Sequence, residues 1–173
     1  MAFRRQLSPE MRDAYKKEVV ASLEKTGLDR DTTLVLGGGA MALAGIRPAG
    51  DIDLMVPHFV FTDLNTYRRT PSGLILQNKY GAKHPFLETT PVHLPPDTMN
   101  VDITHPHDAM HHAGSPELDD EFIATLDNFD AVDGYHFLPP ELVAAHKNRP
   151  DRPNSRKDRK DLRLIRDFLK ERE

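Results

Sequence analysis

Between Leu34 and Val56 the chain reads LVLGGGAMALAGIRPAGDIDLMV, and no other stretch limits the fold as tightly. Thr32–Leu36 is a β-branched and aliphatic run that predicts a buried strand, and the three glycines after it predict a tight turn. Ala40–Ala44 predicts a short helix of small residues, residues 45–50 a loop, and Asp51–Val56 a strand of alternating polar and apolar residues stopped by Pro57. Strand side chains alternate with period two, so Asp51 and Asp53 leave one face about 7 Å apart. Two carboxylates there form a site for hard divalent cations, Mg²⁺ above all, which take their remaining ligands from water and phosphate. Asp102, in the later segment NVDIT, is the candidate third carboxylate for a two-metal clamp. Gly37, Gly38 and Gly39 allow backbone N–H groups to approach phosphate oxygens, and Arg47 on the intervening loop could reach the same polyphosphate.

Around this segment, strand and helix signals interleave, which predicts a mixed α/β or α+β fold. Pro9–Leu28 predicts a first helix with Ser8 as its cap, Met11, Tyr15, Val19 and Leu23 as its apolar stripe, and Gly27 at its end. Phe59–Arg69 predicts a helix and Ser72–Gln77 a strand, with short strand signals at Phe86–Glu88 and Val92–Leu94. Further on come a strand at Met99–Thr104, a helix at Pro116–Leu126, one strand across Ala131–Phe137, and helices at Pro139–Lys147 and Arg156–Lys170. At 173 residues the expectation is one domain, with residues 1–138 as an α/β core and 139–173 as C-terminal basic helices.

Composition removes several classes of function. The chain has no cysteine, which excludes disulfides, thiolate catalysis and sulfur-based zinc sites. No segment approaches the roughly 20 apolar residues a membrane span requires, and the N-terminus lacks the apolar stretch of a secretory signal, so the expected setting is the cytoplasm. The formal charge of -4 is unevenly spread, since residues 146–173 carry 11 Lys and Arg against 6 Asp and Glu. A cationic arm on an acidic body attracts phosphate, from a nucleotide or from a nucleic acid backbone.

The glycine turn, the Asp51–Ile52–Asp53 triplet with eleven residues between it and Gly39, and Asp102 on a separate strand resemble the nucleotidyltransferases of the DNA polymerase β superfamily. The wording is most similar to small bacterial members that include the AbiEii-like toxins, through Gly45, Arg47, Asp51 and Asp53, with echoes in Glu141–Lys147 and in Lys160, Asp161 and Leu162. Many relatives carry a serine after the first glycine and Ser or Thr before the first acid; here Gly39 and Gly50 stand at those positions. The resemblance implies a Mg²⁺-dependent enzyme that moves a nucleoside monophosphate from a nucleoside triphosphate such as ATP to a hydroxyl of RNA, a protein or a small molecule. Asp51, Asp53 and Asp102 would be metal ligands and catalytic groups. Gly37, Gly38, Gly39, Arg47, Lys147 and Lys160 would bind the nucleotide. A toxin paired with an antitoxin partner is the implied setting, and a nucleotide- or partner-binding module of the same fold without turnover is the alternative.

A rival site is the cluster His105, His107, Asp108, His111 and His112, in which His107 and His111 have the helical spacing of a transition-metal pair. Pro106 interrupts it and no H-E-x-x-H motif is formed, so an exposed loop or short helix is expected there. The histidines at 58, 84, 93, 136 and 146 show no pairing in sequence.

Overall fold

A computed structural model describes residues 7–67, 90–92, 100–106 and 114–173, with the side chains of 63–67, 90–92 and 100 left aside. The expected strands at Ser72–Gln77 and Phe86–Glu88 lie outside those residues. Helix α1 (Pro9–Thr26) starts where the Ser8 hydroxyl accepts from the Met11 amide and Pro9 occupies the first turn, and it ends on Gly27 at φ +66°. Its buried residues include Val19, Val20 and Leu23, whereas Met11 is 47% exposed and falls outside the stripe expected of it. A 3₁₀ turn at Arg30–Thr32 leads into β1 (Leu34–Leu36), α2 (Gly37–Leu43) and β2 (Asp51–Met55). Next come α3 (His58–Tyr67), β3 (Thr90–Val92), β4 (Asn100–Thr104) and α4 (Pro116–Leu126). The chain closes with β5 (Ala131–Val132), β6 (Tyr135–Phe137), α5 (Pro140–Lys147) and α6 (Arg156–Lys170).

The expected single strand across Ala131–Phe137 is instead a hairpin. Asp133 and Gly134 both take positive φ, 49° and 81°, as a two-residue turn of the Asp-Gly kind requires.

The described strands form one mixed six-stranded sheet in the order β3-β4-β2-β1-β6-β5. β2 lies between β1, antiparallel to it, and β4, parallel to it, while β1 runs parallel to β6. Alternation sorts β2 between two environments: Ile52 and Leu54 are fully buried, and Asp51, Asp53 and Met55 are partly open. The buried side packs with α2, which in turn contacts α1 and α5. α2 is apolar throughout because it is sandwiched, with Ala40, Met41, Ala42 and Leu43 all buried. The three glycines, expected as a tight turn ahead of a helix at Ala40–Ala44, are instead the first residues of α2 itself, and full burial of Met41, Leu43, Ile52 and Leu54, at about 1.5–3 kcal/mol each, anchors them against the acid-bearing strand. The class is therefore α+β with a mixed sheet, as the interleaved signals predict.

Candidate active-site cleft

The open side of the sheet floors a cleft of about 740 Å³, lined by Asp51, Asp53, Asp102, Gly37, Gly38 and Arg47 together with Lys147, Lys157 and other residues of the C-terminal segment. The convergence of the acids follows from register. β2 and β4 pair in parallel with Asp53 directly opposite Asp102, so both side chains leave the same face, and period two puts Asp51 there as well. Their mutual influence is electrostatic: burial, then the charges of Asp51 and Asp102, raise the Asp53 carboxyl above its ordinary value, with Lys157 and Lys147 opposing. Lys157, on the first turn of α6, brings its Nζ to 3.9 Å from Asp51 Oδ1.

The glycines divide by task. Gly37 has φ +51°, and a Cβ there would lie 3.0 Å from Asp53 Oδ2, so the bare backbone runs directly beside the carboxylate. A Cβ on Gly38 would lie 3.4 Å from the Arg47 guanidinium. Gly39 does not line the cleft; a Cβ there would meet Val35 Cγ1 at 2.8 Å and Ile52 Cγ2 at 3.4 Å, so this glycine lets α2 close on the sheet. A serine at this position would have no room without a shift of Val35 or the helix. Gly50 has nothing within 4 Å of an added Cβ. α2 has only seven residues, which limits what its dipole offers an anion.

Two of the cations expected at the nucleotide, Arg47 and Lys147, line the cleft but are tied to carboxylates in its wall. Arg47 donates from Nε to Asp161 Oδ1 at 2.7 Å and from Nη2 to Oδ2 at 2.9 Å, a bidentate pair, and from Nη1 to the Pro48 carbonyl at 2.7 Å. Lys147, 7% exposed, reaches Asp158 Oδ1 at 2.8 Å and Asp161 Oδ2 at 3.0 Å, and Arg152 adds a bond to Asp158 Oδ2 at 3.1 Å. Burial alone would raise both carboxyls, but the hydrogen bonds from these cations outweigh it, holding Asp158 at about 2 and Asp161 below its ordinary value. The network joins the α2–β2 loop to α5 and α6 and forms one wall of the cleft. Lys160 is exposed and does not line the cleft; the lysine facing the carboxylates is Lys157, three residues earlier.

His146 also lines the cleft, and burial, followed by Arg152, Arg149 and Lys147, lowers its pKa, which favours a neutral imidazole. Sequence spacing held no sign of either contact, because α5 and α6 meet the sheet only through the tertiary fold.

The histidine cluster divides differently from expectation. His105 is fully buried at the end of β4, its Nδ1 bonded to the Pro106 carbonyl at 2.7 Å and its ring edge-on to His58 at 4.5 Å between centroids. The pairing of His58 with His105 was invisible in sequence, and residues 107–113 lie outside the described ones. His58 begins α3, whose first amides donate to the buried Asp119 carboxylate at 2.6 and 3.2 Å.

Hard carboxylate oxygens on one face, where burial and then mutual repulsion raise Asp53, suit a divalent cation. Among the described residues no three or more His, Asp or Glu side chains are grouped to hold a metal ion, so Asp51, Asp53 and Asp102 share one face and one cleft without forming a closed ligand set. Among the described residues, too, no helix is long and apolar enough to cross a membrane. The chain matches no family model, no curated protein and no solved structure.

Proposed function

We propose that the protein is a Mg²⁺-dependent nucleotidyltransferase of the DNA polymerase β type. The observation that carries this reading is the register pairing of Asp53 with Asp102, with Asp51 on the same face and Gly37 bare beside them. Asp51, Asp53 and Asp102 would hold the metal. When bound it supplies charge neutralisation at the phosphates and makes the acceptor hydroxyl more acidic. Gly37 and Gly38 keep the cleft floor clear for the triphosphate, and Lys157 exchanges its contact with Asp51 for a phosphate oxygen. The acceptor oxygen forms a bond to the α-phosphorus, the bond to the bridging oxygen breaks, and pyrophosphate leaves. The hydroxyl proton passes to Asp102. Arg47 and Lys147, saturated by Asp161 and Asp158, hold the wall in place instead of binding phosphate directly.

A binding module without turnover is the second reading. It is favoured by the engagement of those two cations, which leaves the cleft fewer groups for phosphate. Incubation with α-labelled nucleoside triphosphates, Mg²⁺ and total cellular RNA or protein separates the two. Label transfer with pyrophosphate release, lost in Asp53→Asn, supports the enzyme. Mg²⁺-dependent nucleotide binding with no pyrophosphate from any acceptor pool supports the module, and neither binding nor transfer overturns both.

A further inference from the structure

Seven residues of α6 are exposed: Arg156, Lys157, Arg159, Lys160, Arg163, Arg166 and Lys170. All are basic. The acids of the same helix face the other way or are partly covered, Asp158 and Asp161 being buried in the network with Lys147 and Asp167 being half-buried. At 100° per residue, Arg156, Lys160, Arg163 and Lys170 lie along one stripe about 21 Å long, which the half-buried Asp167 shares, flanked by Arg159 and Arg166. Lys157 stands on the other flank, toward the carboxylates; Arg149 and Arg152 also line the cleft, paired with Asp151 and Asp158. Among the described residues no ion pair engages Arg156, Lys160, Arg163, Arg166 or Lys170.

The composition of this face selects its partner. Protein interfaces have apolar, aromatic-rich centres depleted of lysine, and no apolar residue of α6 is exposed. A long row whose exposed residues are all basic, with no apolar anchor, instead matches a polynucleotide backbone, where Lys and Arg replace condensed counterions. We propose that the outer face of α6 is the docking surface for a polynucleotide strand whose terminal hydroxyl enters the cleft past Lys157. The acceptor role rests on the transfer reading above; the docking surface does not.

The full chain is titrated into fluorescein-labelled 20-nucleotide strands, one RNA and one DNA, and into labelled poly-glutamate, at 50 to 200 mM KCl. Binding of either strand is expected, with log K falling against log salt at a slope of about -2 or steeper, as three or more phosphate contacts on a single strand require. Combined Arg163→Gln, Arg166→Gln and Lys170→Gln should weaken strand binding at least about tenfold and flatten the slope by about 2, with the melting temperature and Mg²⁺-ATP binding retained. The surface assignment is wrong if the wild type binds neither strand, if the triple variant binds as the wild type does, or if poly-glutamate is bound as tightly as the strands. Asp53→Asn should keep strand binding. A wild type that binds strands but transfers nothing refutes the transfer reading and leaves the surface standing; transfer that survives the triple variant undiminished refutes the surface alone.

Discussion

Replacing Lys147 with methionine tests whether its first duty is to the fold. Its Nζ sits between Asp158 and Asp161, which are 4% and 2% exposed. Methionine keeps most of the aliphatic stem and removes the charge, so lost packing contributes little. Deleting one partner of a buried ion pair costs about 3–5 kcal/mol because the other charge is stranded. Here Arg47 still grips Asp161 bidentately and the partly exposed Arg152 still reaches Asp158, so the expected cost is reduced to about 2–3 kcal/mol. With a urea m value of about 2 kcal/mol/M, the unfolding midpoint should fall by about 1–1.5 M at pH 7 with m unchanged. The pH dependence follows from the signs. Both carboxyls are held below their unfolded values, so their pairing stabilises the wild type above 3.8 and is lost as pH falls through the folded values, about 2 for Asp158. The difference between wild type and variant is therefore full at pH 7 and shrinks between pH 4 and 2. A midpoint shift below about 0.3 M at pH 7, or one equally large at pH 3, would refute this account of the cluster.

Asp53→Asn should abolish nucleotide transfer and yet raise the melting temperature at pH 7, because burial and the like charges of Asp51 and Asp102 hold the folded carboxyl above its unfolded value. The gain belongs above the folded pKa and disappears below 3.8; a lower melting temperature at pH 7 would contradict it. Gly39→Ala should destabilise by about 1–3 kcal/mol in urea unfolding, since its Cβ would overlap Val35 Cγ1, whereas Gly50→Ala meets empty space and should leave stability within about 0.5 kcal/mol. Lys157→Ala should leave the urea midpoint unchanged, its side chain being 67% exposed, while weakening Mg²⁺-ATP binding in calorimetry by about tenfold, the effect of losing one charge-assisted contact. Equal affinity would remove Lys157 from the phosphate site.

Local physics explains which parts were legible in the amino-acid sequence. Ser8 and Gly27 bracket α1, Ser115 and Ser155 cap α4 and α6, and strand alternation puts Asp51 and Asp53 on one face, all through contacts within a few residues. The Asp133–Gly134 turn was also local, but two strands of two and three residues carry too little pattern to show a reversal. The exposure of Met11 was beyond periodicity, because helical spacing defines a face and not how far along its length that face is covered.

From its order of residues alone this chain determined a strand and a second strand bearing two carboxylates, since backbone sterics and side-chain alternation act between neighbours. Tertiary structure decided the rest. The parallel pairing of β2 with β4 set Asp102 against Asp53. Close packing of α2 made Gly39 a spacer, and the buried acids of α6 tied Arg47 and Lys147 into the cleft wall while leaving Lys157 to face the carboxylates. Asp161 lies 114 residues from Arg47, and no local rule joins charges that only the folded chain brings within 3 Å and shields from water.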